Sequence, residues 1–293
     1  MSGEGSAEEA DQREIQADEL EILSKVGEGT TAVVFLGRLR GVTVAVKEIR
    51  ALSDDTDLAT IQAVQRELRV LANVSHPNIV RFVGLVTEYF PLRLVLEYCG
   101  GGSLFELLHN NWDIAISWGQ RYKMLVDTAR AEEYLHSFEP PIIHRDLKSL
   151  NLMLLHPVTS DKETPHIKLA DFGFARIEER AMTQGVGTKH WMAPEVLKGT
   201  MYTTKADVFS FAMVAFEVAF RHVPFETLDA HSVARKTMAG MRPDMDDDIE
   251  LGEAPEGLLD VIRACWHQEP EQRPSFAEVR QHVEALATRD GFM

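Results

Sequence analysis

Hydrophobic residues in the first hundred positions occur mostly in short β-branched runs. Residues 33–36 and 42–46 form two such runs, and Gly41 lies before the second at a position suited to a tight turn. One stretch has a helical period instead: its apolar residues recur at spacings of three and four, and they are Leu58, Ile61, Val64, Leu68 and Leu71. The pattern predicts a small β-rich lobe that contains one main helix.

The pattern changes after the three consecutive glycines at 100–102. Apolar residues then recur at helical spacing in four segments, with loops between 138 and 205: 118–137, 206–220, 256–267 and 275–287. The longest apolar run, 208–220, is interrupted by Ser210 and Glu217, so it predicts a buried core helix and no membrane insertion. We therefore expect an N-lobe at about 19–98 and a larger, mainly helical C-lobe at about 101–288, with a ligand in the cleft between them.

The two ends of the chain lie outside the predicted lobes. Residues 1–18 are small, polar and acidic, which predicts a disordered tail, and residues 289–293 are expected to form a short second tail. The first residues contain no basic segment followed by an apolar core, so no signal peptide is expected. Cys99 and Cys265 are the two cysteines, which excludes a disulfide framework and favours a reducing, cytoplasmic location.

Composition narrows the class of partner. The 293 residues are 45% apolar, enough to bury a sizeable core, and 30 Lys plus Arg against 46 Asp plus Glu give a net charge of −16. Nucleic acids and anionic membranes attract clustered Lys and Arg. The surplus of acidic residues therefore argues against either as the main partner.

A glycine-containing turn lies between two strand signals, before the run at 33–36. It has the sequence Val26-Gly27-Glu28-Gly29, and a strand follows it. Glycine allows a backbone to approach phosphate oxygens closely, with N–H groups directed at them. An ordinary hairpin turn is the alternative interpretation. A dinucleotide fingerprint is excluded, because such a fingerprint opens a helix.

The second strand run carries a lysine. Alternation along the strand places Val44 and Val46 on one face and Ala45 and Lys47 on the other. A lysine on the cleft side needs an anion, and Glu67 on or beside the inward stripe of the predicted helix can supply one. A surface lysine and an exposed glutamate are the alternative.

Polar residues are concentrated at 144–151, with the sequence His-Arg-Asp-Leu-Lys-Ser-Leu-Asn. Such a stretch makes poor core and poor strand. Asp171 follows a separate strand-like run at 167–170. The two carboxylates of Asp146 and Asp171 and the amide of Asn151 are the groups that Mg²⁺ and a hydroxyl nucleophile require.

These motifs, in this order, resemble those of the eukaryotic protein kinase family over about residues 20–286. The resemblance includes Ala193-Pro194-Glu195, Asp207 in the next helix, and a buried ion pair between Glu195 and Arg273. Residues 187–195 and 265–276 are similar to the tyrosine-kinase-like group, which is mostly serine/threonine-specific. The resemblance implies an α+β, bilobal protein kinase fold over residues 19–288.

The resemblance also implies a role for each matching residue. Asp146 would be the catalytic base with Lys148 beside it, and Asn151 and Asp171 would hold Mg²⁺, with Mn²⁺ as an alternative ion. Lys47 would contact the ATP phosphates and be oriented by Glu67. The other positions implied to contact ATP are Val26, Gly27, Glu28, Gly29, Ala32, Val34, Ala45, Leu96, Glu97, Cys99 and Met153.

The function implied by the resemblance is transfer of the ATP γ-phosphoryl group to Ser or Thr hydroxyls of protein substrates. A lysine two residues after the aspartate, here Lys148 after Asp146, resembles the pattern of serine/threonine kinases. A pseudokinase that serves as a nucleotide-binding scaffold is the alternative from another class, although the lysine and both aspartates are kept. A small-molecule kinase is a weaker alternative, because residues 193–195 match a peptide-docking segment.

Glu132 departs from the family pattern, which usually has an apolar residue there. It lies seven residues after Leu125 on the predicted helix, so its side chain is placed near the inward face. Either it meets a cation or the helix rotates to expose it, and both accommodations are compatible with the pattern.

Overall fold

The chain divides after Cys99 into two compact units, which we call the N-lobe and the C-lobe. The computed structural model describes residues 14–29, 32–49, 72–88, 91–171, 188–245 and 254–292. The N-lobe is formed mainly by strands and the C-lobe mainly by helices. The predicted α+β class, with a β-rich first unit and a mainly helical second unit, is confirmed.

An antiparallel sheet forms the N-lobe. Among the described residues it has five strands in the order β1-β2-β3-β5-β4: β1 (Leu20–Glu28), β2 (Ala32–Leu39), β3 (Val42–Ile49), β4 (Phe82–Val86) and β5 (Arg93–Glu97). Both apolar runs predicted as strands lie in β2 and β3. Arg40 and Gly41 join these strands with φ of +49° and +85°. Positive φ at both central residues matches the right-handed twist of the strands in a two-residue hairpin.

The N-lobe core lies on one face of this sheet. Val44 and Val46 belong to it, as alternation along β3 predicts, together with Ile15, Leu20, Leu39, Val86 and Val95. Ile15 also donates its N–H to the Leu85 carbonyl (2.8 Å), and residues 17–19 form a turn of 3₁₀ helix. The predicted disordered tail at 1–18 is therefore wrong for residues 14–18, because the buried Ile15 and the hydrogen bonds of this segment attach it to the sheet. The predicted helix at 58–71, with Glu67, lies outside the described residues.

Helices form most of the C-lobe. Their bounds are α1 (Trp118–His136), α2 (Pro194–Leu197), α3 (Lys205–Phe220), α4 (Ala230–Met238), α5 (Glu256–Cys265) and α6 (Phe276–Arg289). The four helices predicted from periodicity correspond to α1, α3, α5 and α6. The lobe also contains a π-helical turn at Glu106–Asn110 and a two-stranded sheet of β6 (Leu152–Leu154) and β7 (Ile167–Leu169).

Helix α4 was not predicted from the sequence. It is short, and its buried face consists of Val233, Ala234 and Thr237. The helix begins after Asp229, whose side chain accepts hydrogen bonds from the backbone N–H groups of His231 and Ser232. This N-cap satisfies backbone donors that the first helical turn leaves unpaired. An aspartate at this position was the local sequence signal for the start of α4.

Helix α3 is the centre of the C-lobe, and every residue from Ala206 to Phe220 is buried. Two of these, Asp207 and Glu217, are carboxylates that take part in the site described below. No helix in the described ranges has the length and apolar character needed to span a bilayer.

The C-terminal residues belong to the C-lobe. Helix α6 extends to Arg289, and the next residue, Asp290, accepts a hydrogen bond from the Tyr122 hydroxyl (2.7 Å). The Phe292 ring lies 5.9 Å from the Tyr122 ring, centroid to centroid. The short tail expected at 289–293 therefore starts within α6, and its aromatic residue at 292 packs against α1.

Candidate active site

Asp207, in the first turn of α3, fixes the backbone of the 144–151 loop. Its carboxylate accepts the N–H groups of His144 (Oδ2, 2.9 Å) and Arg145 (Oδ1, 2.9 Å), and the residue is 1% exposed. Arg145 has φ of +71°, an uncommon conformation for a residue with a side chain. Two charge-assisted hydrogen bonds to one carboxylate are a sufficient reason for the loop to keep this conformation.

The His144 ring connects this loop to the end of β7. Its Nδ1 accepts the backbone N–H of Asp146 (3.3 Å), and its Nε2 donates to the Ala170 carbonyl (3.0 Å). This pair of bonds requires the neutral imidazole. Burial lowers the pKa of His144. Nearby carboxylates, mainly Asp207, act in the opposite direction but with a smaller effect. The ring is therefore neutral at neutral pH.

The Asp146 carboxylate is held on one side. Its Oδ2 accepts hydrogen bonds from Lys148 Nζ (2.6 Å) and Asn151 Nδ2 (3.0 Å), and Asn151 Nδ2 also donates to the Asp146 carbonyl (2.8 Å). Asp146 Oδ1 is buried and has no hydrogen-bond partner in the part of the chain that the structure describes. The arrangement leaves one carboxylate oxygen available to an acceptor hydroxyl.

The two expected metal-binding residues lie at the ends of the small C-lobe sheet. Strands β6 and β7 pair through Leu152 and Leu169, and the Ala170 N–H donates to the Asn151 carbonyl (2.8 Å). Asp171 follows directly, with φ of +61°. Met153, expected beside the base of ATP, lies in β6. The structure thus brings Asp146, Asn151 and the backbone leading into Asp171 together, as the motifs predict.

Lys47 lies in the middle of β3, paired across the sheet with Val34 and Leu94. It is only 6% exposed, and it is on the opposite face from the core residues Val44 and Val46. Four other expected ATP-contacting residues lie on the same sheet: Ala32, Val34, Ala45 and Leu96, of which Ala45 and Leu96 are direct partners.

The glycine-containing turn continues β1 into β2. Gly27 pairs with Val34 and Glu28 with Val33, the Gly29 N–H donates to the Ala32 carbonyl (2.8 Å), and Val26 is half-exposed. A Cβ on Gly27 would lie 3.6 Å from Val34 Cβ, and one on Gly29 would lie 3.8 Å from the Ala32 oxygen. Both are ordinary contacts, so the described neighbours do not themselves require glycine. The remaining reason for glycine at these positions is the close approach of a ligand.

Glu97 and Cys99 end the N-lobe. The Glu97 N–H donates to the Arg81 carbonyl (2.9 Å), which attaches this segment to the residue before β4. Cys99 is 8% exposed, so its thiol is packed and not an accessible group.

Glu217 of α3 was missed as a site residue, because along the sequence it only interrupts an apolar run. It is fully buried and accepts three side-chain hydrogen bonds: from Ser149 Oγ (2.6 Å), His109 Nε2 (2.9 Å) and Trp191 Nε1 (2.6 Å). Ser149 belongs to the 144–151 loop and Trp191 precedes the 193–195 segment. A carboxylate within an apolar helix was the available signal, since buried charges need partners.

The predicted ion pair between Glu195 and Arg273 is confirmed. Arg273 Nη1 and Nη2 donate to the two Glu195 carboxylate oxygens at 2.7 and 2.9 Å, and the Arg273 side chain is fully buried. Glu195 lies in α2 and Arg273 between α5 and α6. The bidentate pair therefore attaches the 193–195 segment to the helical part of the C-lobe.

This combination of a five-stranded lobe, a helical lobe and a loop of hydrogen-bonded Asp, Lys and Asn defines an enzyme domain of the phosphoryl-transfer class. The protein kinase domain model matches residues 20–283, and the chain belongs to this family.

Relatives over nearly the whole chain have kinase names. A probable serine/threonine-protein kinase of Dictyostelium discoideum is 36% identical over 269 residues, which is 91% of this chain and 28% of the relative. The probable serine/threonine-protein kinase drkC of the same organism is 34% identical over 278 residues (93% and 35%). The dual specificity protein kinase pyk3, also from D. discoideum, is 36% identical over 279 residues (94% and 19%). The chain thus spans between 19% and 35% of the length of these relatives.

Proposed function

We propose that this chain transfers the γ-phosphoryl group of ATP to Ser and Thr hydroxyls of protein substrates. Membership of the protein kinase family and the names of its relatives support this assignment. The observation that carries it is the asymmetry of Asp146: Lys148 and Asn151 hold Oδ2, while the buried Oδ1 has no partner among the described residues.

Asp146 accepts the proton of the substrate hydroxyl at Oδ1. The Lys148 ammonium, 2.6 Å from Oδ2, balances the carboxylate charge, and the Asn151 amide fixes the plane of the carboxylate. A base held in one orientation loses no freedom when the hydroxyl binds. General-base assistance of this kind contributes about 10²–10⁴-fold to a rate.

The residues present fit a nucleotide with a divalent ion. Asn151 and Asp171 supply the neutral and charged oxygen ligands that Mg²⁺ prefers, and these ligands also suit Mn²⁺. When bound, Mg²⁺ and ATP supply the transferred group and neutralise its charge. Lys47 offers a buried cation to the phosphates, and the 27–29 turn offers backbone N–H groups.

Serine and threonine are the proposed acceptors, with support from Lys148 and from the relatives named serine/threonine kinases. Tyrosine is the competing acceptor to test, because one relative is named a dual specificity protein kinase. Cys99 and Cys265 are buried and neither is in a disulfide, which supports the cytoplasm as the place of action.

Label transfer from γ-labelled ATP to a mixed protein acceptor tests the proposal. We expect Mg²⁺-dependent labelling that phosphoamino-acid analysis assigns to Ser and Thr. Labelling mainly on Tyr would contradict the acceptor assignment. Nucleotide binding without any transfer, with Mg²⁺ or Mn²⁺, would contradict the activity and favour a scaffold.

A further inference from the structure

Three titratable side chains meet in the interior of the C-lobe, next to residues 144–151. These residues are the catalytic loop of the proposed function. His136 Nε2, at the end of α1, donates to Asp207 Oδ2 at 2.9 Å and lies 3.5 Å from Glu132 Oε2. Glu132 and Asp207 are 0% and 1% exposed, and the His136 side chain is 12% exposed. We call these three residues the acid cluster.

Glu132 is the unusual member of the acid cluster. Both of its carboxylate oxygens are buried and have no hydrogen-bond partner among the described residues. An ionised carboxylate in such a place is costly, and a bound proton removes most of the cost. Burial, and to a smaller extent the Asp207 charge, raises the pKa of Glu132 well above its ordinary value.

The surroundings offer Glu132 little positive charge. On its own helix it faces His136, and from α3 it faces Asp207. The 144–151 loop contributes the backbone N–H groups of His144 and Arg145, which bind Asp207, while the Arg145 guanidinium lies 5.8 Å from the centre of the Tyr202 ring. Helix α6 contributes the apolar ring of Phe276, 5.1 Å from the His136 ring. Within the described ranges, no Lys or Arg forms an ion pair with Glu132.

We propose that Glu132 is a positioning residue for the catalytic loop and that it acts by holding a proton. As a neutral acid, Glu132 leaves Asp207 as the charged carboxylate of the acid cluster, with both oxygens accepting the loop N–H groups of His144 and Arg145. Loss of the proton places a second buried negative charge beside Asp207. The repulsion between the two carboxylates opposes the arrangement that holds Asp146.

A proton fits the acid cluster better than a metal ion. One ligand atom from each of the three side chains lies within 4.8 Å of the others, a spacing that a metal ion would also accept. The Asp207 oxygens already accept three hydrogen bonds, however, from the N–H groups of His144 and Arg145 and from His136. A metal ion would have to replace one of these bonds, whereas a proton on Glu132 replaces none.

Thermal unfolding of the ligand-free chain tests the proposal without reference to activity. The folded-state pKa of Glu132 is raised, so the Glu132 contribution to wild-type stability falls as pH rises above the unfolded-state pKa, and Glu132→Gln lacks this contribution. Between about pH 5.5 and about pH 9, we expect Glu132→Gln to fold, to match or exceed the wild-type Tm at the acidic end, and to gain an increasing advantage towards alkaline pH. Glu133→Gln is the matched control: it changes the adjacent residue, whose partner is the partly exposed Arg280, and should keep a constant offset from wild type.

Three results would overturn the proposal. A Glu132→Gln variant that fails to fold would do so, because a neutral side chain of the same shape should be accepted. A lower Tm for Glu132→Gln at the acidic end would indicate an ion pair between Glu132 and a protonated His136. Stoichiometric metal in the purified chain, whose removal by a chelator lowers the wild-type Tm but not that of Glu132→Gln, would indicate a metal site.

A second measurement rests on the proposed kinase function and tests positioning. The ratio of kcat for Glu132→Gln to kcat for wild type should rise with pH, by at most about tenfold per pH unit because one proton is involved. A ratio that is independent of pH while the Tm difference changes would limit Glu132 to a structural role. A wild type without activity would contradict the proposed function and leave the unfolding test intact.

Discussion

Replacement of Arg273 by methionine removes the cation of the most completely buried pair between an Arg or Lys and a carboxylate in the described C-lobe. The guanidinium donates to both oxygens of Glu195 and to the carbonyls of His267 (2.8 Å), Lys205 (2.8 Å) and Gln268 (3.3 Å). Methionine fills similar volume but donates nothing. The variant therefore leaves a carboxylate that is 11% exposed, and three backbone carbonyls, without these donors.

The expected loss of unfolding free energy is about 3–5 kcal/mol, the usual result of removing one partner of a buried pair. One effect opposes it: the pKa of Arg242 is lowered to about 10 by burial and by the Arg273 charge, so the variant relieves a repulsion. The loss corresponds to a fall in Tm of about 6–20 °C for a domain of this size. Compared with a total stability of about 5–15 kcal/mol, this is a large fraction.

The assay is thermal and denaturant unfolding of the four proteins of a double-mutant cycle: wild type, the two single variants and the double variant. Arg273→Met and Glu195→Met should each destabilise the protein, and the double variant should lose less than the sum, because no charge is then left unpaired. Arg130→Met is the matched control, since its pair with Glu284 is exposed and contributes about 1 kcal/mol or less. Losses for Arg273→Met as small as those for Arg130→Met, or strict additivity in the cycle, would refute this reasoning.

Three further changes test other parts of the account. Lys47→Met should abolish phosphoryl transfer with a Tm close to wild type, because the lysine charge serves a ligand; unfolding, or a normal kcat, would contradict this. Ser149→Ala should cost about 1.5–3 kcal/mol of unfolding free energy, because it removes a hydrogen bond to the buried Glu217 carboxylate, and an unchanged denaturation midpoint would contradict it. The pKa of His144 is lowered in the folded state, so its contribution to stability is present above the unfolded value of about 6.5 and is lost as pH falls below it. A calorimetric Tm for wild type that falls no faster below this pH than that of His144→Phe would contradict the assignment.

Local patterns predicted the elements that have strong periodicity. Strands β2 and β3, the core face that contains Val44 and Val46, and helices α1, α3, α5 and α6 follow from alternation or from spacings of three and four. Helix α4 was missed because its buried face has only three small or medium side chains. The order at residues 14–18 was missed because it depends on Ile15 packing against a sheet far along the chain.

The sequence could propose which residues form the site, but it could not predict their hydrogen bonds. Motif order assigned roles to Asp146, Asn151 and Lys148, and the resemblance predicted the pairing of Glu195 with Arg273. The hydrogen bonds of Glu217 to His109 and Ser149 join residues that are 108 and 68 positions apart. No periodicity encodes such contacts. Glu132 shows the same limit: the pattern placed it near the inward face, and only the fold shows that no Lys or Arg among the described residues pairs with it.

The central claim is that Asp146 is the base of a phosphoryl transfer, and steady-state kinetics of Asp146→Asn with direct measurement of ATP binding tests it. Asparagine keeps the shape and can accept hydrogen bonds, but it cannot take the hydroxyl proton. We predict that kcat falls by about 10²–10⁴-fold while ATP affinity changes little, because the lost interaction is made in the transition state. Asp161→Asn, at an exposed loop position of the same lobe, should keep the wild-type kcat. A variant at position 146 that loses ATP binding but keeps its maximal rate would contradict the account.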